Sequence, residues 1–333
     1  LKILERGGFV FNILITGSEL PHIDREQQAL RDIAVVAVEN CDRKADLIEA
    51  VKNADAIMTD AAVIDAEIIA NAKKLKVIVE YGIGVDNIDV EFATKKGVYV
   101  CNVPDVYIRE VAEHALALLL TVARNIKNMS DLVMTENIWD FNRFPALKLF
   151  GKTLGIVGCG KIGQTLAKMA KAFGLKVIAY DPYVAAETLT AVGIAKSDLD
   201  YLLRNSDIIS LHIPHTKETH RLIGKKEISI MKGQAILINV ARGGIVDEDA
   251  LAEALQTGKL YGAGLDVLEA EPSVKANSLL DCNNVIITPH MAWKSEVAAE
   301  ALEMAAVREV RSVLLEDKPI NLVNRQLRSN KLD

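Results

Sequence analysis

The 333-residue sequence has only four cysteines, Cys41, Cys101, Cys159 and Cys282. They are far apart, form no C-x-x-C pair and lie in or beside apolar runs. That excludes a disulfide framework or a thiolate metal site and fits a reducing compartment. Charge of one sign is also scarce: 39 basic against 45 acidic residues leave a formal charge of −6. Without a block of like charges there is no electrostatic footprint for nucleic acid or an anionic membrane. Long apolar runs are missing too. The greasiest, Ala115 to Ala123, stops after nine residues, and a bilayer span needs about 20. Phe9 to Ile15 follows Arg6 but lacks the small-residue cleavage site of a signal peptide. No repeat or low-complexity tract is visible. The expectation is a cytoplasmic globular protein with no nucleic-acid or membrane partner and no metal. Residue 1 is Leu, so the true start is expected to be missing or altered.

Half the residues are apolar, and at roughly 150 residues per domain the length suggests about two domains, each with its own core. The first hundred residues alternate β-rich runs (Asn12 to Thr16, Ala34 to Val38, Ala56 to Thr59, Val77 to Val79, Val98 to Cys101) with helical patterns, which predicts a parallel sheet. A long helix after Pro104 has Val111, Ala115, Leu118, Leu119 and Val122 on one face and is expected to bridge two domains. After a connector from Asn128 to Lys152, without clear period and with room for one short helix, the alternation restarts. Six strands are expected: Thr153 to Val157, Lys176 to Tyr180, Asp207 to Leu211, Ala235 to Asn239, Ala263 to Leu265 and Asn284 to Ile287. The fold class is therefore α/β with two parallel-sheet Rossmann-like domains, the doubly wound one inserted in a flavodoxin-like one. The last helix, near Glu296 to Leu315, is expected to return to the first domain. This gives 1–103 with 297–333 as the substrate domain and 104–296 as the dinucleotide domain.

Strand, glycine turn and helix start follow in succession at Thr153-Leu-Gly-Ile-Val-Gly158-Cys-Gly160-Lys161-Ile162-Gly163. That is the dinucleotide fingerprint in its proper context. Gly158 suits the tight turn, Gly160 lets backbone approach a pyrophosphate, Gly163 permits close packing, and the N–H groups near Lys161 and Ile162 face the anion. Asp181, at the end of the next strand, is placed to meet the ribose hydroxyls. Its charge opposes a 2′-phosphate and no arginine follows it in Pro182-Tyr183-Val184, so NAD is expected rather than NADP.

In an open α/β sheet the ligand crevice lies beyond the carboxyl ends of the strands. Reading each strand to its end gives Gly158, Asp181, His212, Arg242, Asp266 and His290, with Glu271 following Asp266 on the same loop. Taken singly, an Arg is most often a surface ion pair and a His a satisfied core residue. Together with a nicotinamide coenzyme they are what hydride transfer to a 2-keto acid requires. A substrate carboxylate calls for the planar fork of Arg, a nascent alkoxide for the proton of an imidazolium, and that imidazolium for a neighbouring carboxylate.

Seven stretches give the chain its resemblance to a known family: Tyr81-Gly-Ile-Gly-Val-Asp-Asn-Ile-Asp89, Gly158 to Gly163, Tyr180-Asp-Pro-Tyr183, Leu211-His-Ile-Pro214, Asn239-Val-Ala-Arg-Gly-Gly-Ile-Val-Asp247, Gly264-Leu-Asp-Val-Leu-Glu-Ala-Glu-Pro272 and Thr288-Pro-His-Met-Ala-Trp293. The sequence resembles the D-isomer-specific 2-hydroxyacid dehydrogenases over nearly its whole length, most closely the branch of the C-terminal-binding proteins and their bacterial dehydrogenase relatives. The resemblance implies that Arg242, Glu271 and His290 are catalytic, with Glu269 a decoy. It also implies that Asp266 holds the nicotinamide carboxamide, that His212, Pro214, Val240 and Ala241 line the coenzyme, and that N–H groups at Ile83 and Gly84 help bind the substrate carboxylate. Trp293 either walls the substrate pocket or is a core aromatic at the start of the last helix. Asp86 and Asp89 read as a turn residue and a helix cap.

Two departures bear on the substrate. Glu80 stands where the C-terminal-binding proteins carry an arginine, and Thr59-Asp-Ala-Ala62 where phosphoglycerate dehydrogenases place phosphate-binding arginines. A chain without those enzymes' regulatory domain and an unphosphorylated substrate are expected. The implied reaction is NAD-dependent interconversion of a small 2-keto acid, of the glyoxylate or hydroxypyruvate type, and its D-2-hydroxy acid. A homodimer through the segment from Val106 to Asp140 is also implied. The alternatives are an NAD(H)-sensing corepressor-like protein and a phosphite or formate dehydrogenase.

Overall fold

The runs Ala56–Thr59, Val77–Glu80 and Tyr99–Cys101 are buried at every position, the burial of a parallel sheet covered on both faces, whereas the edge run Ala34–Val38 is partly exposed. The computed structural model describes residues 11–17, 23–41, 43–272 and 277–329; Leu1 and the Phe9–Val10 start of the first apolar stretch lie outside them. The elements run β1 (Phe11–Thr16), α1 (Ile23–Leu30), β2 (Ala34–Val38), α2 (Lys44–Val51), β3 (Ala56–Thr59), α3 (Ala66–Asn71), β4 (Val77–Glu80), α4 (Val90–Lys95) and β5 (Tyr99–Cys101). There follow α5 (Ile108–Ala123), α6 (Ile126–Met134), β6 (Thr153–Val157), α7 (Lys161–Ala172), β7 (Lys176–Tyr180), α8 (Ala186–Ala191), β8 (Ala195–Lys196) and α9 (Leu199–Asn205). The remainder is β9 (Ile208–Leu211), α10 (Lys225–Ile230), β10 (Ala235–Asn239), α11 (Glu248–Gln256), β11 (Leu260–Leu265), β12 (Val285–Ile287), α12 (Ala298–Glu316) and α13 (Gln326–Ser329). The chain divides into two compact units, 1–106 with 295–333, and 107–294.

In the first unit five parallel strands run in the order β2-β1-β3-β4-β5, the flavodoxin-like arrangement. Strands β3 and β4 are buried at every position, and Leu47, Val51, Ile68, Ile78 and Val100 join one core beneath α2 to α4. Helices α3 and α4 start where short acids can cap them. Asp65 accepts from the Glu67 and Ile68 N–H groups, and Asp89 from Phe92 N–H, contacts of about 1 kcal/mol each. On the other face α12 packs against α1, β3 and β4 and buries Leu302, Ala306 and Val310.

The second unit carries seven parallel strands in the order β12-β11-β10-β9-β6-β7-β8. The order reverses between β6 and β9, which makes their carboxyl ends the switch point where a doubly wound sheet opens a ligand crevice. Six strands are expected from sequence; the seventh, β8, is two exposed residues, too short to show an alternation. Strand β11 begins at Leu260, ahead of the expected Ala263, because its glycines break the apolar run. Those glycines have a packing purpose. A Cβ at Gly262 would lie 2.7 Å from Val122, and one at Gly264 2.8 Å from Leu118, so α5 sits directly on β11. The α5 face expected from sequence is buried throughout, and burying each Val or Leu contributes about 1.5–3 kcal/mol. The helix belongs to the second unit, packed on β10, β11, β12 and α7. No helix among the described residues is long and apolar enough to cross a membrane.

Candidate active site

The turn after β6 is built by its glycines. Gly158 has φ +90°, and a Cβ there would lie 2.5 Å from the His212 carbonyl oxygen; one on Gly163 would lie 2.4 Å from the Gly158 carbonyl oxygen. Gly160 is different: a Cβ would meet nothing within 4 Å. No protein neighbour demands that glycine, and it stands at the start of α7, where first-turn N–H groups point along the helix axis toward any anion. The cradle therefore fits a dinucleotide pyrophosphate. Replacing Gly160 by Ala is expected to change the melting free energy by less than about 1 kcal/mol while weakening NADH binding by about tenfold, or 1.4 kcal/mol. Calorimetry and NADH titration check it; unchanged affinity would mean that the backbone does not approach the coenzyme there.

Asp181 lies at the end of β7 and is nearly buried. Its Oδ2 accepts from Cys159 N–H at 2.8 Å, and its Oδ1 from Tyr183 and Val184 N–H at 2.8 and 3.0 Å. The residue thus ties the glycine turn to the β7 loop. His212 follows β9 with Nε2 2.8 Å from Ser210 Oγ, and burial lowers its pKa to about 4, so its imidazole is neutral near pH 7. Val240 is buried, Ala241 half-buried and Pro214 exposed.

Beyond β10 and β12 the polar residues converge. Asn239 shapes the first loop: its side chain donates to the Arg242 carbonyl at 2.8 Å and accepts from Ala241 N–H at 3.0 Å. The Arg242 guanidinium folds back to the Ala241 carbonyl at 2.9 Å. His290 Nδ1 lies 2.6 Å from Glu271 Oε2, and Glu271 Oε1 accepts from Leu268 N–H at 2.8 Å. The hydrogen bond to Glu271 raises the His290 pKa against the lowering effect of burial; the charges of Glu271 and Asp266 add to the rise and that of Arg242 opposes it. Burial alone would raise Glu271, but the His290 hydrogen bond and charge, the Leu268 amide and Arg242 together hold it below its ordinary value. The arrangement is a hydrogen-bonded imidazole–carboxylate pair, an ion pair when the imidazole is protonated, with the Arg242 charge acting on both members. Glu269 stands apart, paired with Arg221 at 3.2 Å.

Asp266 is only 1% exposed. Its Oδ1 accepts from Thr288 Oγ1 at 2.6 Å and Met291 N–H at 3.0 Å, and its Oδ2 from Ala292 N–H at 2.7 Å. Burial would raise this carboxyl; hydrogen bonds from His114, Thr288, Met291 and Ala292 lower it below the usual range. Asp266 thereby clamps the loop that presents His290. Sequence reasoning missed Asn239, Thr288 and His114. One signal was available for His114, a polar residue inside the apolar face of α5.

The other expected residues lie where their segments put them. Ile83 and Gly84 belong to the first unit, just past the carboxyl end of β4, and among the described residues neither N–H has an acceptor. Trp293 is half-buried ahead of α12, its ring centroid 6.5 Å from that of Tyr107; it does not belong to that helix. Glu80 is buried and accepts from Asn87 Nδ2 at 2.9 Å.

Comparison with known proteins gives the class. The profile of the D-isomer specific 2-hydroxyacid dehydrogenase NAD binding domain matches residues 116–292. A glyoxylate reductase of Thermococcus litoralis is 43% identical over 288 residues, 84% of this chain and 87% of the relative. A D-3-phosphoglycerate dehydrogenase of Methanocaldococcus jannaschii is 42% identical over 297 residues, 89% of this chain. The chain spans only 56% of that relative's length. The structure of D-lactate dehydrogenase from Aquifex aeolicus, complexed with NAD and lactic acid, superposes with a TM-score of 0.86 at 35% identity, covering 94% of this chain and 99% of the other. The chain belongs to the D-isomer-specific 2-hydroxyacid dehydrogenase family. Its second unit carries that family's NAD-binding domain.

Proposed function

We propose that this protein is an NAD-dependent dehydrogenase interconverting a small, unphosphorylated 2-keto acid and the D-2-hydroxy acid, with glyoxylate or hydroxypyruvate favoured. The observation that carries the reading is the 2.6 Å His290–Glu271 pair with Arg242 acting on both. When bound, NADH supplies the hydride. Arg242 orients the substrate carboxylate and polarises the ketone. As hydride reaches the carbonyl carbon, the π pair moves to oxygen, which takes a proton from His290 Nε2, the nitrogen not engaged by Glu271. Glu271 holds the imidazolium charge before transfer. Gly158, Gly160, Lys161, Ile162 and Gly163 form the pyrophosphate cradle, with Asp181 toward the ribose. His212, Pro214, Val240, Ala241 and Asp266 are the remaining coenzyme contacts. Ile83, Gly84 and Trp293 are assigned to the substrate, 1–103 with 297–333 to a substrate domain and 104–296 to the dinucleotide domain.

The absence of a cation in Thr59-Asp-Ala-Ala62 supports the unphosphorylated substrate. A homodimer through 106–140 is supported by Met134 and Trp139, large apolar side chains of that segment that are 81% and 89% exposed. Four unbridged thiols support a cytoplasmic location. The test is a panel of glyoxylate, hydroxypyruvate, 3-phosphohydroxypyruvate, pyruvate and longer 2-keto acids with NADH and NADPH. A small unphosphorylated acid is expected to reach kcat/KM of about 10⁴ M⁻¹s⁻¹ or better, with NADH preferred. No turnover on any of them would overturn the reading, and coenzyme-dependent partner binding in its place would favour the sensor.

A further inference from the structure

The proton inventory around Asp266 singles out a side chain outside the Arg242, Glu271 and His290 set. The Asp266 carboxyl is held below its usual range and can only accept, so the single Thr288 hydroxyl proton is donated to Asp266 Oδ1 at 2.6 Å. The Thr288 oxygen is then an acceptor for His114 Nε2, 2.9 Å away. That assigns a proton to Nε2 whatever the charge of the ring, and the same nitrogen lies 3.4 Å from Asp266 Oδ1. A line of donors therefore runs from α5 through Thr288 to Asp266, with the longer direct contact of His114 to the same carboxylate beside it.

What Asp266 holds at the far end is the His290 loop. Its carboxylate accepts the Met291 and Ala292 N–H groups, and its own carbonyl accepts His290 N–H at 2.8 Å. His290 stands in the left-handed region at φ +49°. A non-glycine residue there is under backbone strain of about 1–3 kcal/mol, which persists only where the surroundings over-determine it. Rotation of the Asp266 carboxylate would release both amides. The His114–Thr288 contact opposes that rotation from a helix seated on Gly262 and Gly264 of β11.

We propose that His114 is a positioning residue: through Thr288 and Asp266 it fixes the strained loop that presents the His290 imidazole to Glu271 and to substrate. The proposal rests on the reading of His290 as proton donor. A merely structural His114 would lower stability and the active fraction but leave the titration of His290 unchanged.

The experiment measures kcat, KM and the pH profile of keto-acid reduction for His114→Leu, His114→Gln and Thr288→Val, with rates normalised to NADH-binding sites. His114→Leu is expected to lose about tenfold in kcat with KM within twofold, and its basic limb is expected to move toward the ordinary imidazole value as the Glu271 contact loosens. His114→Gln keeps a side-chain N–H donor and is expected to restore most of both. Thr288→Val is expected to change both readouts in the same direction as His114→Leu, and the double variant to lose less than the product of the two single losses, because both act on the one Asp266 carboxylate. A folded His114→Leu with wild-type kcat and profile, or losses that multiply in the double variant, would overturn the proposal. If His114→Leu fails to fold, Thr288→Val against wild type decides by the same readouts. His290→Gln separates the two readings. Wild-type turnover in it would remove the donor assignment itself; an inactive His290→Gln beside an unaffected His114→Leu would remove only the positioning role.

Discussion

Replacing His290 by Gln is expected to lower kcat for keto-acid reduction by about 10²–10⁴-fold, the usual contribution of a placed general acid, with KM changed far less. Glutamine keeps a polar group at the position but has no titratable proton to deliver. The pH dependence follows from the direction of the shift. Glu271 raises the His290 pKa above its ordinary 6.5. The protonated donor is therefore abundant below the raised value and lost as pH rises through it, so reduction declines across that window. Oxidation of the hydroxy acid needs the neutral imidazole as base and rises over the same window. Replacing Glu271 by Gln removes the charge that raises the pKa and leaves only a neutral acceptor for Nδ1–H, and the midpoint is expected to move to lower pH. Initial rates in both directions from pH 5 to 10 check this. A reduction rate flat through that range in the wild type would exclude His290 as the donor.

What could be read from the chain alone is what depends on neighbours in sequence or on a general property of sheets. The Gly158-to-Gly163 turn is local: strand, glycines and helix start lie within a dozen residues. The strand-end rule needs only the strands, and it brings Arg242, Asp266 and His290 onto one list although β10, β11 and β12 are separated by helix and loop. The supporting contacts follow neither rule. Asp266 takes donors from positions 114, 288, 291 and 292, and the pairing with α5 depends on how that helix settles on two glycines. The same glycines hid the start of β11. Strand β8 has two residues and no periodicity to detect. The Glu271 carboxylate was legible from its place before a proline, but the Leu268 amide that orients it belongs to a loop whose path no local pattern specifies.

Arg242→Lys is expected to be almost as damaging as Arg242→Ala, although it keeps the charge. The substrate carboxylate is to be met by two parallel N–H groups of a planar fork, which a lysine ammonium does not offer. Losing two hydrogen bonds to a charged group, at about 1.5–3 kcal/mol each, corresponds to a fall of about 10²–10⁴ in kcat/KM, with KM and kcat both affected. Both variants give up the guanidinium's bond to the Ala241 carbonyl but keep the Asn239 bonds to the Arg242 carbonyl and the Ala241 amide, which hold the loop. Melting temperature and NADH affinity are therefore expected to stay near wild type. The two variants differ in their pH profiles. The Arg242 charge opposes protonation of His290, so Arg242→Ala is expected to shift the basic limb of reduction to higher pH, while Arg242→Lys leaves it near its wild-type position. A keto amide in place of the keto acid completes the test. The wild type should discriminate strongly between them and both variants weakly, whereas an Arg242→Ala enzyme that still prefers the acid by the wild-type factor would show that the carboxylate is held elsewhere.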